Sequence, residues 1–113
     1  MSRVAHAEAE YLSASRIFKA LGHPLRVKIV CGLLREPCTQ THISSSLGLP
    51  QSTVAQHLSV LRREGIVRGD RDRGAEVVLR VIDPRVPVLF RCMCDSDGLP
   101  ELDWNQARAS HSR

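Results

Sequence analysis

Aromatic residues are scarce in this sequence, since phenylalanine, tyrosine and tryptophan together make up 4% of its 113 residues. Hydrophobic residues still make up 42%, so the chain can fold around a core that is mostly aliphatic. At this length we expect one domain with a modest core, which a partner subunit would complete.

Several signals of membrane insertion, export and catalysis are also missing. The sequence has no apolar run long enough to cross a membrane and no signal peptide. It has no glycine-rich phosphate loop, no paired nucleophile and base, and no catalytic metal motif. We therefore expect a cytoplasmic protein that is not an enzyme and has no membrane partner. In that compartment the four cysteines favour free thiols, metal ligation or redox sensing over structural disulfides.

Positive charge is in excess and unevenly distributed. The formal net charge is +4 and the isoelectric point is near 9.2, which favours a polyanionic partner. Residues 62–80 hold six arginines against four acidic residues, whereas residues 81–113 hold four basic and five acidic residues. The basic excess therefore lies in the middle of the chain and not in its C-terminal part.

The stretch 47–67, LGLPQSTVAQHLSVLRREGIV, predicts a helix with two different faces. Val54, Leu58 and Leu61 recur at i, i+4 and i+7, which is typical of a buried helical stripe. Pro50 stands where a helix begins, and Gly65 stands where a left-handed residue would end it. The opposite face and its flank carry short polar or basic side chains, namely Ser52, Thr53, Gln56, His57 and Arg63. Such side chains suit base edges and phosphates in a major groove, although a solvated surface helix is the alternative interpretation.

The segments before this helix predict three more helices. The first is amphipathic, ends at Gly22 and has an apolar face formed by Tyr11, Leu12, Ser15, Phe18 and Leu21. A second helix covers residues 25–34, residues 35–42 form a connector, and a short helix ends at Gly48. Two helices joined by a tight turn that contains glycine predict a helix-turn-helix.

After residue 65 the apolar period changes from 3.6 to 2. Residues 66–68 and 76–82 predict two strands joined by a turn at 71–74, which together form a basic wing. A last helix begins at 83–84, with Val86, Leu89, Phe90 and Met93 on one face. We thus predict a mainly α fold with a small β-hairpin, a dimeric winged helix-turn-helix over residues 1–98. Residues 99–113 are predicted to be a flexible C-terminal tail with a single apolar anchor, Trp104.

With these elements the chain resembles the ArsR/SmtB family of winged-helix repressors. The resemblance is carried by FKALGHPLRVKIVCGLL at 18–34, by the stretch 47–67 and by the end of the wing at 80–83. It implies a homodimer held by the first and last helices, an operator DNA with an inverted repeat, and release by an inducer. The DNA-contacting positions implied by the family are Gln51, Ser52, Thr53, Gln56 and His57, with Arg71 and Arg73 in the wing. Ser52, Thr53 and Gln56 are expected at base edges and the arginines at phosphates.

The sensor sites of that family match this sequence only in part. The soft-metal site of the family uses a Cys-x-Cys pair, of which only Cys38 is present here. The zinc or nickel site on the last helix begins with Asp-x-His, but after Asp83 the next histidine is His111. Cys31 matches the first cysteine of the persulfide-sensing pattern. Cys92 and Cys94 lie earlier in the last helix than the second cysteine of that pattern.

We therefore predict a repressor released by a thiol-reactive inducer, As(III) or a soft divalent metal ion held by Cys92, Cys94, Cys38 and Cys31. In a continuous helix the side chains at i and i+2 point apart, so Cys92 and Cys94 could share an ion only if the helix frays. Three alternatives stay open. These are oxidation or persulfidation of a cysteine pair, Ni or Zn at His6, Glu10 and His111, and a winged-helix interaction module with no sensor.

Overall fold

A computed structural model describes residues 3–71, 74, 76–94 and 104. In chain order its helices and strands are α1 Arg3–Leu21, α2 Pro24–Arg35, β1 Cys38–Thr39, α3 Gln40–Leu47, α4 Gln51–Arg63, β2 Val67–Arg71, β3 Val77–Val81 and α5 Arg85–Cys94. The predicted mainly α, winged helix-turn-helix architecture is confirmed. The end predicted for the last helix, near residues 95–98, lies outside the described residues.

The wing belongs to a three-stranded antiparallel sheet in the order β1-β3-β2. In its hairpin, Val67 pairs with Val81 and Arg71 pairs with Val77. The third strand corrects the sequence prediction, which placed only a connector at residues 35–42. β1 is two residues long and pairs with β3 through Cys38 and Leu79. A segment of that length cannot show a period of two, so only the distant partner reveals it.

Local hydrogen bonds and left-handed residues fix the ends of the helix-turn-helix. The Thr39 hydroxyl accepts from the His42 N–H at 3.1 Å and so caps the start of α3. Gly48 ends α3 with φ 64°, and Gly65 follows α4 with φ 73°, as the sequence predicted. Both conformations suit glycine because it has no Cβ to clash with the backbone.

The core is aliphatic and lies where α2, α3 and α4 pack together against the sheet and α5. The predicted stripe of Val54, Leu58 and Leu61 is buried. The other large aliphatic side chains of this core are Ile17, Ile29, Val30, Leu33, Ile43, Leu47, Ile66, Val67, Leu79 and Val86.

Most of the face predicted for α1 does not pack against its own chain, although Leu21 at the end of the helix packs against the core. Tyr11 is 72% exposed and Phe18 is 61% exposed, whereas Ile17 and Ala20 are the buried residues of this helix. On α5, Val86 and Phe90 are buried as predicted, but Met93 is 50% exposed. The apolar period predicted one face of each helix, but it did not show which side chains of that face are buried in the core of the same chain.

Trp104 is buried against the C-terminal half of α2, with 1% of its surface exposed. Its indole Nε1–H donates to the carbonyl oxygen of Glu36 at 3.1 Å. The flexibility of the remaining residues of 99–113 stays a prediction, because they lie outside the described part of the chain. None of the described helices is long and apolar enough to span a membrane.

Candidate nucleic-acid interface

The outer face of α4 presents one continuous exposed polar stripe. Ser52, Gln56 and Arg63 are exposed and project away from the buried stripe of the same helix. Ser59 is exposed in the same row, one turn after Gln56, and the sequence analysis missed it. Ser59 follows Ser52 by seven residues and Gln56 by three, and this helical spacing could have identified it from the sequence. The helix has 13 residues, and at about 1.5 Å per residue it is about 20 Å long, enough to lie along a major groove.

Gln51 fixes the start of α4 to the start of α3. Gln40 donates from Nε2 to the Gln51 Oε1 at 3.1 Å, and Gln51 donates from Nε2 to the Thr41 hydroxyl at 3.1 Å. These bonds hold the side-chain amide of Gln51 at the helix junction. The predicted DNA-contacting position is therefore also a structural link within the helix-turn-helix.

Thr53 and His57 lie one turn apart on the flank of α4, and both are half-buried. The imidazole of His57 packs on that of His23, with ring centroids 4.5 Å apart and planes inclined by 47°. Burial lowers the pKa of His57 below its ordinary value, and the nearby His23 and Arg26 lower it further.

An ionic cluster occupies one face of the wing. Arg68 and Arg80 are directly opposed across β2 and β3, and Asp70 lies between their guanidinium groups. Arg68 donates from Nη2 to the Asp70 Oδ2 at 3.2 Å, and the Arg80 Nε lies 3.3 Å from the same oxygen. Of the two wing arginines named from the sequence, Arg71 is exposed at the end of β2 and Arg73 is outside the described residues.

The described thiols differ in burial. Cys31 and Cys38 are half-buried, Cys92 is exposed, and none of the three is in a disulfide. The side chain of Cys94, which ends α5, lies outside the described part. Burial, and then the charge of Glu36, raise the pKa of Cys38 to about 12. Within the described ranges, no three His, Cys, Asp or Glu side chains come together as a metal site.

The histidine alternative is described only in part. His6 and Glu10 are exposed on α1, with 3.9 Å between Nε2 and Oε1. His111 is outside the described residues. The described residues therefore show an exposed i, i+4 pair there and no third ligand beside it.

A helix-turn-helix with an exposed polar second helix, followed by a basic wing, defines a winged-helix DNA-binding protein. Residues 23–68 match the family model described as "Bacterial regulatory protein, arsR family". The chain belongs to this ArsR/SmtB family of transcriptional repressors.

Named relatives cover most of the winged-helix region. The HTH-type transcriptional regulator YgaV of Escherichia coli is 34% identical over 73 residues, or 64% of this chain and 74% of YgaV. The transcriptional repressor PagR of Bacillus anthracis is 33% identical over 88 residues, or 74% of this chain and 87% of PagR. Among solved structures, reduced HlyU from Vibrio cholerae superposes with a TM-score of 0.69 and 31% identity, covering 79% of this chain and 97% of HlyU.

Proposed function

We propose that this repressor is a homodimer that binds an inverted repeat in operator DNA through the exposed stripe of α4. The observation that carries the proposal is the pairing of this polar stripe with a buried aliphatic stripe on the same helix. The buried stripe fixes the orientation of α4, so Ser52, Gln56 and Arg63 are held outward in one row. Fixed, short side chains of this kind suit hydrogen bonding to base edges.

The dimer is supported by an apolar groove between α1 and α5. Its volume is about 400 Å³, and its lining includes Ile17, Phe18, Pro84, Val88 and Leu89. Phe18 and Val88 are exposed in the single chain, and burial of such a surface is favourable. In a symmetric dimer the two α4 helices would lie about 34–36 Å apart, which matches one turn of DNA.

Within this complex, Ser52, Thr53 and Gln56 would contact base edges, while Arg63, Arg71 and Arg73 would contact phosphates. The amide of Gln56 can donate and accept together at the major-groove edge of adenine. Arg63 lies at the end of α4, where the helix leaves the groove. Loss of an arginine should weaken binding to all sequences, whereas loss of Gln56 should weaken binding to one sequence in particular.

Selection from random-sequence duplexes tests this proposal directly. Purified protein should enrich an inverted repeat, and Gln56→Ala should bind it less tightly while keeping its affinity for a scrambled duplex. Arg63→Gln is the matched control, because it should weaken binding to both duplexes and reduce the salt dependence. Enrichment of no sequence would contradict the proposal.

We further propose that a thiol-reactive inducer releases the DNA. The exposed Cys92 and the half-buried Cys31 support this proposal, whereas the raised pKa of Cys38 makes it a poor thiolate at neutral pH. As(III) or a soft divalent metal ion is the first candidate. Oxidation or persulfidation is the second, because no three metal-ligating side chains come together within the described residues. Either agent can release the DNA only if it binds or modifies the DNA-free conformation of the dimer in preference to the DNA-bound conformation.

Release from the selected duplex distinguishes these inducers. The reduced protein is titrated with As(III), Cd(II), Ni(II) or Zn(II), and separately with peroxide or a polysulfide. Release by a soft ion that the Cys92→Ser/Cys94→Ser variant resists would support a thiol metal site on α5. Release by oxidant that dithiothreitol reverses and Cys31→Ser resists would support redox sensing. Release by Ni(II) that survives both variants would implicate His6, and no release at all would contradict a sensor.

A further inference from the structure

Three ionisable side chains meet where the start of α2 contacts the flank of α4. His23 immediately precedes α2, Arg26 lies in its first turn, and His57 is on α4. The His23 and His57 rings are 4.5 Å apart. Arg26 is close enough that its charge acts on His57. This group joins the helix expected to bind DNA to a helix outside the helix-turn-helix.

Two nitrogen donors in this group have no protein acceptor among the described residues. The Nδ1 of His23 accepts from the Leu25 N–H at 3.1 Å, so the proton of a neutral His23 is assigned to Nε2. The Nε of Arg26 is buried, and it has no hydrogen-bond partner in the described part of the chain. A buried donor without an acceptor is unfavourable, so the cationic guanidinium of Arg26 lacks part of the compensation that a paired arginine has.

Among the described residues, no carboxylate compensates the positive charge of Arg26. The groups that act on His57 are His23, from the residue before α2, and Arg26, from α2 itself, and both disfavour a proton on His57. Within the described residues, Arg26 forms no ion pair with an acidic side chain. In the part of the chain that the structure describes, the cluster therefore combines one permanent cation and two imidazoles with no anion.

The position of the cluster indicates where its anion would come from. His57 lies one turn after Thr53 on the half-buried flank of α4, beside the outward stripe of Ser52 and Gln56. When a recognition helix occupies the major groove, its flanks face the sugar-phosphate backbones that border the groove. We propose that His23, Arg26 and His57 form a binding site for a backbone phosphate of the operator, and that His57 takes up a proton when DNA binds. This inference rests on the proposed DNA-binding function.

Proton uptake has a defined consequence for affinity. A phosphate beside His57 favours the protonated imidazole, whereas the free protein disfavours it. DNA affinity should then rise as the pH falls from 7.5 to 6.0, by up to about tenfold per pH unit for each proton taken up. A dimer with two such sites would take up at most two protons through His57.

The experiment measures binding of the full chain to the selected duplex by fluorescence anisotropy at constant ionic strength from pH 6.0 to 8.0. The wild type should bind at least about threefold more tightly at pH 6.0 than at pH 7.5. His57→Gln should lose most of this dependence. The matched control is His6→Gln, which removes an exposed histidine from α1 and should keep the dependence.

A second measurement on the wild-type protein avoids any dependence on a variant that folds poorly. Calorimetric titration of the same duplex in two buffers of different ionisation enthalpy counts the protons taken up, and the count should be positive at pH 6.5. A count of zero, or equal pH dependence in His57→Gln and the wild type, would overturn the phosphate site. Both results require sequence-specific binding, so failure to enrich any duplex would instead contradict the proposed function.

Discussion

The indole ring of Trp104 lies directly against Gly32 of α2, so closely that a methyl group at residue 32 would overlap the ring. The same ring is almost completely buried, and its N–H donates to the carbonyl oxygen of Glu36. The side chain of Trp104 thus packs on the second half of α2 through both an apolar contact and a hydrogen bond.

This contact predicts that Gly32→Ala changes stability in opposite directions in two backgrounds. Alone, it should lower the free energy of unfolding by about 1–3 kcal/mol, because the added methyl group overlaps the indole ring. In a Trp104→Ala background the overlap is absent, and alanine is favoured over glycine in a helix by about 1 kcal/mol. Urea unfolding at one fixed protein concentration measures both effects. Equal effects in the two backgrounds would show that Trp104 does not pack on Gly32.

Acidification should destabilise the DNA-free protein through His57. The pKa of His57 is lowered in the folded protein from its ordinary value of 6.5, so the unfolded chain binds more protons around that pH. The stability contributed by neutral His57 is therefore present above pH 6.5 and is lost as the pH falls below it. Urea unfolding at pH 7.5 and 5.5 should show a smaller loss for His57→Gln than for the wild type. A loss of unchanged size in that variant would contradict the shifted pKa.

Asp70 should restrain the arginines of the wing. Because its carboxylate contacts both Arg68 and Arg80, Asp70→Asn should leave these guanidinium groups available to phosphates. We expect tighter binding to a scrambled duplex and a steeper dependence of that binding on salt concentration. Glu8→Gln, which removes an exposed charge from α1, controls for net charge alone. An equal gain in affinity in both variants would show that the change in net charge, and not the release of the wing arginines, causes the tighter binding.

The groove between α1 and α5 predicts that Val88→Asp weakens the dimer. Val88 is 55% exposed in the single chain, and an unpaired carboxylate in a buried interface is costly. Sedimentation equilibrium should show a shift toward monomer, with weaker binding to the full inverted repeat. Ile82→Asp is the control, since Ile82 is exposed outside this groove. A dimer unaffected by Val88→Asp would place the interface elsewhere.

Cys38 should be the least reactive of the described thiols. With a pKa of about 12, only about one molecule in 10,000 carries the thiolate at pH 8. Brief treatment with iodoacetamide followed by mass spectrometry should find Cys92 alkylated well before Cys38. In urea the difference should disappear, because burial is its main cause. Rapid alkylation of Cys38 in the folded protein would contradict the raised pKa.

The sequence was most informative where a repeating apolar pattern meets a glycine. The stripe of Val54, Leu58 and Leu61, with Gly48 and Gly65 at the helix ends, defined the helix-turn-helix without any tertiary information. β1 was not predictable, because two residues carry no periodicity and their partner lies in β3. The apolar face of α1 was identified, but its exposure was not, since a pattern does not distinguish the core from a partner surface.

For the candidate site, the sequence predicted the face of α4 but not the contacts that hold it. The packing of His57 on His23 joins α4 to the residue before α2, and no local spacing indicates it. The position of Asp70 between Arg68 and Arg80 depends on the strand register, which the sequence alone did not fix. The thiol assignments for the inducer remain predictions.

The most direct test of the account is a base-by-base substitution scan of the selected duplex, measured with the wild type and with Gln56→Ala. A dimer that binds through α4 should recognise two symmetric half-sites centred about 10 base pairs apart, or a multiple of this spacing. Gln56→Ala should abolish discrimination at one base pair in each half-site while leaving the others intact. Discrimination that is asymmetric, or unchanged by the loss of Gln56, would contradict a dimer that recognises its operator through the outer face of α4.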